Sequence, residues 1–244
     1  QDLALRDLYR EMVNPWKQRQ ATRKFGKYYL SLDQLEGLDY VLYPMHTEPE
    51  IAMSLWTRPY LNQIEIVRMI SHSLPVGWKL VVKEHPATFG RRSMKYYQKL
   101  LEIPNVCFVS PAMKAAEVIS QSKLVCILAS TVGLEALMLK KPLVALGNCP
   151  YDAIPANMMR KVQNPYDLPT AIQNMLETYA YDEHTLLSFI AALIDCSVPV
   201  NLVTDLLGKT KGRHQDDGGG EKTMTDHPHI SILAAYLWKR TQEW

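Results

Sequence analysis

Three short stretches of the sequence gather residues able to hold an anion and move a proton. "PMHTEPE", Pro44 to Glu50, brings His46, Glu48 and Glu50 together. A histidine beside carboxylates can serve as acid, base or phosphate donor, because its pKa lies near neutrality and neighbours move it readily. A loop histidine bonded to backbone would carry the same letters. "KEHP" supplies Lys83 and His85 as donors toward an anion, with Pro86 fixing the angle at which the chain departs. In "LASTVGLEAL", Leu128 to Leu137, Ser130 and Thr131 precede a helix pattern whose first turn holds Gly133. Hydroxyls, backbone N–H groups and the helix dipole suit a phosphate there, and the same pair also makes a plain N-cap. Glu135 follows Thr131 by about one turn on nearly the same face, where a carboxylate can accept hydrogen bonds from ribose hydroxyls.

Other chemistries find no support. The sequence has no GxxxxGK[ST] phosphate loop, no GxGxxG fingerprint and no GxSxG elbow. No DxD-like pair follows a strand pattern, and Asp216–Asp217 lie in a Gly-rich segment, so neither a metal site nor a cofactor is expected. His72, His184, His214, His227 and His229 stand alone and read as surface or core histidines. Cys107, Cys126, Cys149 and Cys196 lie far apart, with no CxxC, and read as reduced core thiols.

The elements that must position these residues follow from the hydrophobic pattern. Short apolar runs at 40–44, 79–83, 106–109, 124–128 and 142–146 read as strands. Between them, apolar residues at three- and four-residue spacing predict helices over Tyr60–Ser73, Arg92–Leu101, Met113–Ser122 and Thr131–Lys140. Such alternation is the pattern of an α/β fold, a doubly wound, Rossmann-like parallel sheet with flanking helices. All the strand C-termini then share one edge, where such folds bind ligands, and all three clusters fall there.

The flanks differ in character. Residues 1–39 read as a helical, basic lead-in or linker, with "WKQRQATRKFGK" dense in Lys and Arg. A solvated helix face, an anionic membrane surface or an acidic polymer would each account for it. Residues 40–195 form the expected sheet domain, ending in helices at Leu168–Tyr179 and Asp182–Ile194. Residues 196–244 read as a mobile polar loop, 208–228, and a last helix, Ile230–Trp244. With 27 basic against 25 acidic residues in 244, charge gives no reason to expect nucleic acid as a partner. No signal peptide or membrane-spanning run is apparent, so a cytoplasmic protein is expected, with peripheral contact at the inner face of the plasma membrane left open. The chain begins at Gln1 rather than Met and is expected to be a piece of something longer.

"YPMHTEPE", "LPVGWKLVVKEHP" and "STVGLEALMLKKPLVALG" together resemble the nucleotide-binding half of the capsule polysaccharide glycosyltransferases, the group that includes the bacterial Kdo transferases. The resemblance spans roughly residues 40–150 and implies a GT-B C-terminal-type domain that binds a nucleotide sugar, CMP-linked by analogy, for transfer to a surface or capsular polysaccharide. It assigns the nucleotide phosphate to His85 with Pro86 and to Ser130 with Thr131, and the ribose to Glu135. Gln63, in a "Y..Q" context, also looks similar, without an assigned role. His46, Glu48 and Glu50 are candidates for the general base, although in the family this residue usually lies in an acceptor-binding half that residues 1–39 are too short to form. Two alternatives stay open: a nucleotide-sugar epimerase or teichoic-acid-type polymerase, and a non-catalytic module that binds nucleotide or polymer in a capsule assembly complex.

Overall fold

A computed structural model describes residues 16–47, 57, 60–86, 88–198, 200, 209–210, 213–214 and 228–242. The chain divides into two compact units, Gln1–Leu186 and Leu187–Trp244.

The first unit is built on an all-parallel sheet of seven strands: β1 (Tyr29–Leu30), β2 (Tyr40–Pro44), β3 (Lys79–Lys83), β4 (Val106–Val109), β5 (Leu124–Ile127), β6 (Leu143–Ala145) and β7 (Met159–Lys161). Five were expected. The additions, β1 and β7, sit at the two edges of the order β1-β4-β3-β2-β5-β6-β7. The central strands β2 and β5 are buried along their whole length, as near-continuous apolar runs in a sheet covered on both faces must be.

The helices of this unit are α1 (residues 16–25), α2 (Leu32–Leu35), α3 (Gln63–His72), α4 (Met94–Leu101), α5 (Ala115–Gln121), α6 (Val132–Met138) and α7 (Leu168–Thr178). Ile66, Val67 and Ile70 of α3, Leu100 of α4, and Leu168, Ala171, Ile172 and Met175 of α7 pack in one cluster with Val41, Tyr43, Leu80 and Val82 of the sheet. Side chains alternate along a strand, so Tyr40 and Leu42 face the other side. There Tyr40 donates its phenol to the carbonyl of Val118 in α5 at 2.5 Å. Polar residues at the helix starts take up orphan N–H groups: Asn62 accepts from Ile64 N at 3.1 Å and Ser93 from Tyr96 N at 3.3 Å.

Part of the basic lead-in is buried in a second, separate cluster of this unit. Ala21 and Phe25 of α1 pack on Phe89 and Tyr97, with the Phe25 and Tyr97 ring centroids 5.1 Å apart. Gly90 permits the approach, since it sits at φ +80° and a β-carbon there would lie 2.9 Å from the Gln18 backbone.

Helix α8 (Glu183–Asp195) runs across the boundary between the units. In the second unit, Lys209–Thr210 (β8) pairs antiparallel with Arg213–His214 (β9), within the polar segment 208–228. The rest of that segment, with Asp216, Asp217 and His227, lies outside the described residues. Helix α9 (Pro228–Gln242) follows, and Tyr236 donates to the carbonyl of Cys196 at 3.2 Å. The reading of all four cysteines as core thiols is corrected here: Cys126 and Cys149 are buried, Cys107 is half-buried and Cys196 is exposed. No described helix is long and apolar enough to cross a membrane.

Candidate functional site

About β2, the order β4-β3-β2 runs one way and β5-β6-β7 the other. This reversal between β2 and β5 is a topological switch point, and in open α/β sheets the crevice beyond the strand C-termini at such a point is where ligands bind. The chain segments flanking it are Met45-His46-Thr47 after β2 and Leu128-Ala129-Ser130-Thr131 after β5.

His46 lies on this crevice and is only 5% exposed. Its Nε2 receives a long hydrogen bond, 3.5 Å, from the N–H of Ala129, which ties the exits of β2 and β5 together. Glu48 and Glu50 lie outside the described residues.

Gln63 opens α3 and is 1% exposed. Its side-chain amide bonds both backbone groups of His46: Oε1 accepts from His46 N at 2.7 Å, and Nε2 donates to His46 O at 3.0 Å. Tyr43 also donates to Oε1, at 3.3 Å.

The residues of "KEHP" part ways. Lys83 is buried and donates its Nζ to the carbonyl of Pro111, beyond β4, at 3.0 Å. Burial lowers its pKa from the usual lysine range, because the charged form loses water. His85 and Pro86 are exposed. The His85 carbonyl accepts from the N–H groups of Thr88 at 3.0 Å and Phe89 at 3.1 Å, and so closes the turn that follows.

After β5, Ser130 Oγ accepts from Val132 N at 3.2 Å, while Thr131 is exposed at the N-cap of α6 without a side-chain capping bond. Glu135 is partly exposed in the first turn. Tyr151 donates its phenol to the Ser130 carbonyl, and burial raises that phenol's pKa. Gly133 is forced here, since a β-carbon would meet the Tyr151 ring and lie 2.7 Å from Ile127 Cδ1.

The structure adds a buried ion pair that the sequence did not single out. Glu84 binds the Arg92 guanidinium through Oε1 and receives the Tyr97 phenol on Oε2 at 2.6 Å. Arg92 Nη2 in turn donates to His46 O at 2.6 Å. The signal in the sequence was slight: an acid directly after an apolar strand, with an arginine eight positions later across a Gly-containing turn. Among the described residues no group of three or more His, Cys, Asp or Glu gathers as a metal site.

Several solved structures are similar to this chain at low identity. The beta Kdo 2,7 transferase of Thermosulfurimonas dismutans KpsC is 16% identical over 77% of this chain and 67% of its own, with a TM-score of 0.43. The beta Kdo 2,4 transferase of the same protein is 18% identical over 64% of this chain and 55% of its own, with a TM-score of 0.42. The UDP-GlcNAc 2-epimerase of Methanocaldococcus jannaschii, solved with UDP-GlcNAc and UDP, is 16% identical over 73% of this chain and 49% of its own, at 0.45. The chain thus spans only part of each of these proteins. No curated protein is significantly similar to it in sequence. The sequence model of the capsule polysaccharide biosynthesis proteins matches residues 16–157, which run from α1 to the segment before β7 and contain every described candidate residue, and the chain belongs to that family.

Proposed function

We propose that this chain is the donor-binding part of a capsule glycosyltransferase: it holds a nucleotide sugar, CMP-linked, beyond the β2/β5 switch point while the sugar passes to an oligo- or polysaccharide acceptor. The observation that carries this reading is the strand order, which places His46 and the Ser130–Thr131 turn on opposite sides of one crevice. As the bond from sugar to phosphate breaks, negative charge grows on the leaving phosphate. His85, exposed beyond β3, and the hydroxyls of Ser130 and Thr131 are the donors assigned to it. Glu135 accepts from the ribose, and Pro86 sets the exit of the His85 segment.

Lys83 contributes from the interior in this scheme, since its ammonium is engaged by Pro111. The base that takes the acceptor's proton is assigned to the group His46, Glu48 and Glu50 or to an acceptor-binding domain. The protein is placed in the cytoplasm, in peripheral contact with the membrane where the polymer grows.

Calorimetric titration of the 244-residue chain with CMP, UDP and GDP tests the reading. CMP is expected to bind best, and His85→Ala to weaken it by about 1–3 kcal/mol, the worth of a charge-assisted hydrogen bond. A folded chain that binds none of the three more tightly than about 1 mM overturns the assignment.

A further inference from the structure

We propose that Gln63 is a positioning residue that acts on the donor site through His46, an inference that rests on the donor-binding reading above. The argument starts where β2 stops. Met45 N still donates to Lys83 O at 2.8 Å, the last rung of the β2/β3 pairing. One residue on, the His46 N–H and C=O have left the ladder but remain buried, and a buried peptide without partners is costly. The Gln63 side chain supplies what a neighbouring strand would have supplied. Its amide has one acceptor and one donor side by side, and the 2.7 and 3.0 Å bonds engage both backbone groups of His46. Tyr43 fixes which end of the amide is which, because its phenol donates to the same Oε1.

Arg92 takes the second lone pair of His46 O at 2.6 Å, and Glu84 holds that guanidinium in place. The backbone of His46 is thereby pinned to α3 through Gln63 and to the exit of β3 through Glu84. Its imidazole is then carried to 3.5 Å from Ala129 N, across the switch point and next to Ser130. No other residue type reproduces the pair of bonds: glutamate loses the donor, methionine loses both, and asparagine is a methylene too short.

The test uses the 244-residue chain with CMP and UDP as probes. Each is titrated into the unaltered protein, Gln63→Met, His46→Ala and the double variant, and the His46 imidazole nitrogens are followed by NMR in ligand-free protein. Gln63→Met is expected to weaken binding on the order of ten-fold and to move the His46 Nε2 resonance, while adding it to His46→Ala costs no further affinity. Additive losses overturn the proposal, as does full affinity in His46→Ala or an unmoved Nε2 resonance in folded Gln63→Met. Should Gln63→Met show no cooperative thermal transition, Gln63→Glu, which keeps the acceptor for His46 N, replaces it and is read in the same way. An unaltered chain that binds neither probe sinks the donor-site reading instead, and the ligand-free resonance still decides the positioning role.

Discussion

Replacing Arg92 with methionine removes the cation of the Glu84–Arg92 pair while keeping most of the side chain's volume. The Glu84 and Arg92 side chains are 4% and 8% exposed, so water cannot solvate the carboxylate left behind. That carboxylate keeps the Tyr97 phenol at 2.6 Å, and His46 O keeps Gln63 Nε2 at 3.0 Å. Neither acceptor is therefore orphaned, and the dominant cost is that a buried charge loses its Arg92 partner. Breaking a buried pair from one side typically costs about 3–5 kcal/mol, against at most about 1 kcal/mol for an exposed pair. Arg92→Met is accordingly expected to lower the urea midpoint by an amount in the larger range, at an unchanged denaturant slope. The double variant Glu84→Gln with Arg92→Met removes the charge as well, and a neutral amide still accepts from Tyr97, so it should be more stable than Arg92→Met alone. A loss below about 1 kcal/mol would refute the reasoning, and so would a double variant less stable than the single one.

Gly133→Ala should cost about 1–3 kcal/mol of stability by overpacking, because the added carbon meets the Tyr151 ring and Ile127 Cδ1; an unchanged melting temperature would contradict that close approach. Alkaline pH should destabilise the protein. Burial, the larger cause, and the Glu84 charge raise the phenols of Tyr29 and Tyr97 above the usual 10.0, and burial pushes the Cys149 thiol from 9.0 up to about 11. The folded chain then binds more protons than the unfolded one, so this stability is complete below the ordinary values and is lost as pH rises past them. Lys83 and Lys141 work the other way, their lowered pKa values adding stability as pH climbs toward 10.5, but they are outnumbered, since burial also raises Tyr40, Tyr60, Tyr151, Tyr179, Cys107 and Cys126. A denaturation midpoint that holds or rises from about pH 8 to about pH 11 would refute this balance.

Much of the sheet was legible because its central strands are short, largely apolar and closed by polar turns. The runs at 40–44, 79–83 and 106–109 are strands with those bounds, and β5 and β6 differ only at their ends. The two edge strands were not. In β7, "MRK", only Met159 is buried, while Arg160 and Lys161 are exposed, as suits an edge that must not pair with another chain. β1 is a two-residue pairing inside a basic segment, made by contact with β4 rather than by any local pattern. Gln63 was legible as a position but not as a role. A polar residue in the first turn of an amphipathic helix reads as solvent-facing, and only the long-range approach of His46 buries it.

The opened-out "KEHP" segment separates two kinds of work that sequence alone runs together. A charged residue at the end of a strand can face the ligand or the interior, and here Lys83 and Glu84 both turn inward, to Pro111 and to Arg92 with Tyr97. His85, one residue on, is exposed. Buried charges are tolerated only where partners replace their water, so Lys83 and Glu84 are bound to the neighbouring segments whose carbonyl, guanidinium and phenol serve them. Those segments are the start of the β4 exit and of α4, so the inner half of the motif fixes the frame from which the outer half projects. Substitutions at Lys83 and Glu84 should therefore be felt first as lost stability, whereas under the proposed reading His85→Ala is felt first as lost affinity.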